Sequence, residues 1–186
     1  TTAANNTAIG NQTLASNTTG AQNIAVGGRS LYTNTTTNNN TAVGYDALYT
    51  NAASNNTAVG RDSSKANTTG TLLVSVGAYS LTANTTGIRN TAIGYESMSA
   101  NTTGSHNTAV GTYALATPTG ANDNTAVGYY ALKAATTGGN NVGVGNSALT
   151  ANTTGFRNTA VGMEAMNANT TSGHNVAFGY QALYTN

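Results

Sequence analysis

Cysteine and tryptophan are absent from the 186 residues. No disulfide can staple the fold, and no thiolate can act as ligand or nucleophile. Charge is scarce too: charged residues make up 6% of the chain, against about 25% in a typical globular protein. Six Lys and Arg with a net charge of +1 cannot build the basic face that nucleic acid requires, so no nucleic-acid partner is expected. No apolar run approaches the roughly 18 residues of a membrane span, and no signal peptide is visible. With two phenylalanines, Phe156 and Phe178, an ordinary globule of this length would lack large side chains for its core. One proline, Pro118, and near-zero net charge are equally unlike a disordered chain.

What is present is a repeat. A glycine that follows an apolar residue recurs eleven times, from Gly10 to Gly179, at a spacing of 17 residues, except for 16 between Gly44 and Gly60. The consensus is N-T-A-V-G-Y-x-A-L-x-A-N-T-T-G-x-x. The missing residue falls within Asn51–Asn55, which reads as a turn because turns absorb deletions. The ends of the chain fall in phase with the unit, so the reading is a single uncapped array over 1–186, a segment of a longer fibre.

A unit of 17 residues is too short for helix-pair repeats, and Asn, Thr and Gly are poor helix formers. N-T-A-V reads as a short strand. A-N-T-T-G reads as a turn in which Asn and Gly supply positive φ. The spacing predicts an all-β chain: a parallel β-solenoid of eleven 17-residue coils, each with two short strands and two bends. Stacked at about 4.8 Å, eleven coils give a rod about 50 Å long.

The columns of the repeat carry the structural assignments. The apolar residue before the anchor glycine (Ile9, Val26, Val43, Val59, Val76, Ile93, Val110, Val127, Val144, Val161, Phe178) is assigned to a core ladder. So is the Leu or Met four residues after it, with Ser64 as the one exception. Adjacent strand residues face opposite sides, which puts the alanine two before the glycine outside. Ala42, Ala92, Ala109, Ala126 and Ala160 are read as a chain–chain interface around a threefold axis; the alternative is that alanine suits a close-packed coil. Asn40, Asn90, Asn107 and Asn158 represent a column expected to form an Asn ladder. A second Asn column lies seven after the glycine, with Pro118 and Ala135 departing from it.

The core N-T-A-V-G-Y-D-A-L (Asn40 to Leu48) resembles the head repeats of trimeric autotransporter adhesins. It is also similar to Asn/Thr/Gly-rich repeats of bacteriophage tail fibres. The resemblance implies a left-handed parallel β-roll, three chains to a head, displayed outside the cell or on a virion. This chain departs from the adhesin pattern in its longer period, with N-T-T-G added between cores.

Chemistry of other kinds finds no support. His106 and His174 share a column with Asn5, Gln22, Arg89, Asp123 and Arg157, which reads as an exposed turn. The acids Asp46, Asp62, Glu96 and Glu164 share a column that reads as a solvated face. V-G-x-x-A-L resembles the hexapeptide of left-handed β-helix acyltransferases, but those repeat it without interruption. No enzyme is expected, and no catalytic, cofactor-binding or metal-binding residue is assigned. Tyr45, Tyr95, Tyr129 and Tyr180 share the column after the glycine and are read as packing. N-x-T occurs at Asn17, Asn34, Asn67, Asn84, Asn101, Asn152 and Asn169, among others, where glycans could attach.

The expected role is a structural shaft or head segment of an extracellular, cell-surface or virion fibre. Its expected partners are copies of itself, as a homotrimer or filament, and an unidentified host-surface receptor. Two alternatives stand beside it: a filament subunit that polymerises end to end through open β-edges, and an ice-binding solenoid using the Thr-Thr pairs such as Thr68 and Thr69.

Overall fold

The computed structural model describes residues 3–185. It is all-β. Eleven three-residue strands recur once per unit, from β1 (Thr7–Ile9) to β11 (Val176–Phe178). They form one sheet in sequence order, each strand paired in parallel with the next. This is the parallel β-solenoid that the period predicts. The short unit does not disturb the register: in β3 (Thr41–Val43) and β4 (Thr57–Val59), Ala42 still faces Ala58 and Val43 faces Val59. The deletion is absorbed at the bend. Asn51 Nδ2 donates to the Ala53 carbonyl two residues on (2.6 Å), whereas Asn67 reaches Gly70 three residues on (2.9 Å).

Each coil holds one strand, not the two expected. The reason lies in the backbone after the anchor glycine. Three non-glycine residues per unit take φ near +50 to +65°, for example Asp46 (57°), Leu48 (51°) and Asn55 (65°). Alternation between left- and right-handed wells curls the chain where a second strand would have extended it. These conformations sit five before, two after and four after the glycine, not at the Asn and Gly of A-N-T-T-G. A leucine costs energy there, on the order of 1–2 kcal/mol. The hydrogen bonds to neighbouring coils hold it in place: Leu48 N–H donates forward to Ser63 O (3.0 Å), and Asp46 N–H donates backward to Gly28 O (3.1 Å). The anchor position admits only glycine. Gly94 has φ of 136°, and a Cβ there would lie 2.5 Å from the Gly111 carbonyl oxygen one coil on.

The interior is the reverse of the assignment made from apolarity. Alanine in mid-strand is fully buried at Ala42, Ala92, Ala109, Ala126 and Ala160. These residues line the core and cannot form a chain–chain interface. The assigned ladder lies on the outer face: Val26, Val43, Val59, Val76, Val110, Val127, Val144 and Val161 are half-buried, while Ile9, Ile93 and Phe178 are exposed. Space decides this. Leu and Met four residues after the glycine, such as Leu48, Met98, Leu132 and Met166, fill the interior completely. At Gly143, the glycine variant of the alanine column, an added Cβ would stand 3.2 Å from Leu132 Cγ. A methyl is therefore the largest group that fits, and the branched residue must face out.

The apolar core divides once, between Ala58 and Leu73. Here Ser64 replaces the usual leucine, and Ser75 replaces the usual alanine. Both are buried, with Ser64 Oγ and Ser75 Oγ 2.8 Å apart and Ser63 Oγ donating to Ser75 Oγ at 2.7 Å. Leu73 stands where other units have asparagine and joins Leu81 in the second apolar cluster.

Candidate functional site

Three features lie outside the alanine–leucine core: an amide ladder, a charged network and a row of tyrosines. Asn40, Asn90, Asn107 and Asn158 are buried, and the side chains bond along the rod. Asn90 Oδ1 accepts the Asn107 N–H (3.0 Å), and Asn107 Nδ2 donates onward to the Ala121 carbonyl (2.8 Å). Each amide thus satisfies backbone groups that a three-residue strand leaves unpaired. The second Asn column bonds side chain to side chain, as from Asn84 Nδ2 to Asn67 Oδ1 (2.9 Å) and from Asn101 Nδ2 to Asn84 Oδ1 (2.8 Å). The N-x-T sites at Asn5, Asn11, Asn39 and Asn55 are exposed; the other N-x-T asparagines belong to this second column, and those from Asn34 to Asn169 are fully buried. In the folded rod their amides are turned inward, away from any attached glycan.

The acid column is not uniformly a solvated face. Asp46 is fully buried and Asp62 nearly so. Arg29 Nη2 lies 2.7 Å from Asp46 Oδ2, Lys65 Nζ lies 2.9 Å from both Asp46 Oδ2 and Asp62 Oδ1, and Arg61 Nε lies 3.2 Å from Asp62 Oδ2. Hydrogen bonds to the two carboxylates push the Lys65 amine upward from its usual range. It is held as an ammonium ion between the two carboxylates. The sequence shows part of this: Arg29 and Asp46 occupy the same column in successive units, whereas Lys65 stands three residues after Asp62. The carboxylates are buried but their cations stay partly exposed, and a network of this kind fixes partners and register more than it adds stability.

The tyrosines after the glycine, Tyr45, Tyr95, Tyr129 and Tyr180, are exposed. Tyr95 meets rings of the next column in the coils on either side. Its centroid lies 6.0 Å from Tyr79 and 5.6 Å from Tyr113, with interplanar angles of 86° and 85°. Tyr113 continues the row to Tyr130 at 5.3 Å. An open groove of about 350 Å³ runs beside Tyr79 and Tyr95, closed by Thr82, Glu96 and Ser99. The Tyr95 hydroxyl is pushed up to about 12, chiefly by hydrogen bonding to the Glu96 carboxylate. Reading single columns misses this row, because it forms between two adjacent columns of neighbouring coils.

The exposed column holds His106 and His174, both at the surface. His106 Nε2 lies 3.3 Å from Arg89 Nη1, and His174 packs edge-on against Phe156. The Thr-Thr pairs do not present free hydroxyls in both members. Thr68 Oγ1 donates to the Thr85 carbonyl (2.9 Å) and Thr102 Oγ1 to the Thr119 carbonyl (2.7 Å). Among the described residues, no three His, Cys, Asp or Glu are grouped to hold a metal ion, and no helix is long and apolar enough to cross a membrane. No protein-family model, curated protein or solved structure matches the chain.

Proposed function

We propose that the chain is a shaft or head segment of an extracellular or virion-borne fibre, and that copies of it associate side by side through the outer face of the sheet. The observation that supports this reading is the repeated outward pair in each strand. Thr108 and Val110 of β7 (Thr108–Val110), and Thr125 and Val127 of β8 (Thr125–Val127), flank the buried alanines and face away from the core. At least one apolar residue is thereby set on the outside of every one of the eleven strands, and two where Ile24, Val74, Val142 or Val176 replaces the threonine. A continuous apolar stripe on a single chain is a surface for association. Stacked coils with a thin interior gain from that association, and a rod of about 50 Å holds a terminal binding element away from its anchor. The resemblance to adhesin heads favours three copies.

The test is the mass of the purified chain by light scattering over a range of concentrations. A discrete trimer is expected. The double substitution Val110→Asp, Val127→Asp is expected to give a monomer with unchanged β circular dichroism. Association that survives it sinks the outer-face interface, and open-ended growth would favour end-to-end polymerisation.

A second reading draws on the same face. Thr at the first position of seven strands and Val at the third position of eight form an outward array along the sheet, which is a better ice-binding candidate than the Thr-Thr pairs. Thermal hysteresis from a monomeric chain would favour it; none at millimolar concentration would end it.

A further inference from the structure

The geometry points to the Tyr79–Tyr95–Glu96 groove as a binding site for an organic cation of the quaternary or methylated ammonium class. The tyrosine row already shows what its faces accept. Arg61 lies over the Tyr79 ring at 5.6 Å, and Lys133 lies over Tyr130 at 4.2 Å and Tyr113 at 5.7 Å. Farther along, Arg29 sits over Tyr45 at 4.9 Å. The chain thus supplies its own cations to rings on both sides of Tyr95. Among the described residues, Tyr95 itself has no cation over it, although it is 42% exposed. Tyr45 and Tyr95 are each followed by an acid, but Asp46 is paired with Arg29 and Lys65, whereas Glu96 takes part in no ion pair among the described residues.

The shape agrees with the charge. Tyr79 and Tyr95 meet at 86° and so form a corner, not a flat platform. A sugar ring stacks best on one broad face; a compact cation can touch two rings held at right angles while a carboxylate balances its charge. The groove, at about 350 Å³, falls within the range of small-ligand clefts, about 300–1,000 Å³. Thr82 and Ser99 on its rim offer hydroxyls to a polar tail on the ligand. The site is independent of the outer strand face, since its residues lie in the turns that follow the strands.

The probe is choline, set against its neutral isostere 3,3-dimethylbutan-1-ol, with ring-current shifts of the ligand methyl protons as the readout. Choline is expected to shift upfield on binding and the isostere to bind at least about tenfold more weakly. Glu96→Gln is expected to weaken choline about three- to tenfold, and Tyr95→Leu to abolish its shift. Tyr79→Leu serves as the second ring variant, and circular dichroism checks that each variant folds. Three results overturn the proposal: equal binding of the isostere, no choline shift with the folded wild-type chain, or unchanged affinity in folded Glu96→Gln. Perturbation of the same tyrosines by a neutral methyl glycoside but not by choline would assign the groove to saccharide instead.

Discussion

Pro118 stands one coil beyond Asn101 in the second asparagine column, and the buried Oδ1 of Asn101 has no hydrogen-bond partner. At Asn67 and Asn84 the amide of the next asparagine fills that place, as Asn101 Nδ2 does for Asn84 Oδ1 at 2.8 Å. Proline also lacks the N–H that other residues of the column donate to the carbonyl three residues back, as Asn101 does to Met98 (3.1 Å). A buried acceptor left unpaired costs about 1–3 kcal/mol. Replacing proline returns roughly 0.4–1 kcal/mol of entropy to the unfolded chain. Pro118→Asn combined with Ala135→Asn, so that each new Oδ1 also meets a donor and the ladder runs on to Asn152, is therefore expected to stabilise by about 1 kcal/mol net, raising Tm by roughly 2–4 °C. An unchanged or lower Tm would mean that the introduced amides do not complete the ladder.

The period, the parallel register and the Leu column are legible in the sequence because each depends on spacing alone. Which face of the strand turns inward is not. Alternation separates Ala109 from Val110 but does not say which is inside. The preference for burying the larger apolar residue points the wrong way, because the interior is already filled by Leu115 and its column. The clue lies four residues beyond the glycine: a column of leucine needs small residues opposite it. The second strand is a false expectation for a related reason, since nothing in a leucine announces a left-handed backbone such as that of Leu115 (49°). The burial of Asp46 is hidden because its column elsewhere accepts Gln12 and Ser147. That burial comes from Arg29 and Lys65 in adjacent coils.

The inverted face predicts opposite sensitivities at neighbouring residues. Ala109→Val forces two methyls into a filled interior and is expected to destabilise by about 1–3 kcal/mol. Val110→Ala removes methyls from a half-buried position and is expected to cost about 1 kcal/mol or less in the unassociated chain. Thermal melting of the two variants at low concentration measures both. Greater loss from Val110→Ala than from Ala109→Val would return the valine to the core.

At the seam between the two apolar clusters, Ser64, Leu73 and Ser75 depart from the repeat together. Restoring one alone disturbs its partners: Ser64→Leu removes the hydroxyl bonded to Ser75 and inserts a larger side chain, at about 1–3 kcal/mol. Leu73→Asn costs a buried leucine. The triple variant Ser64→Leu, Leu73→Asn, Ser75→Ala recreates the arrangement found in the other coils, including an amide able to serve Asn90. It is expected to lie within about 1 kcal/mol of the wild type, so the coupling between sites is favourable and of the order of 0.5–3 kcal/mol. Purely additive losses in urea unfolding would show that the three positions do not compensate one another.

Alkali is expected to weaken the rod. Tyr95 is pushed up to about 12 by hydrogen bonding to Glu96, then by burial; Tyr129 is raised, first by its bond to Tyr130; Lys65 is raised by its bonds to Asp46 and Asp62. Each group holds its proton more tightly in the fold than in the unfolded chain. The stability this contributes is complete below the ordinary values of 10.0 for tyrosine and 10.5 for lysine. It is lost as pH rises through the folded values, because the unfolded chain then binds fewer protons than the native one. Melting temperature is expected to fall between pH 10 and about 12. Tyr95→Phe, which has no proton to lose, should flatten part of that fall, and Lys65→Met another part. If both variants follow the wild-type curve, neither the Tyr95–Glu96 contact nor the Lys65 network holds its proton as described.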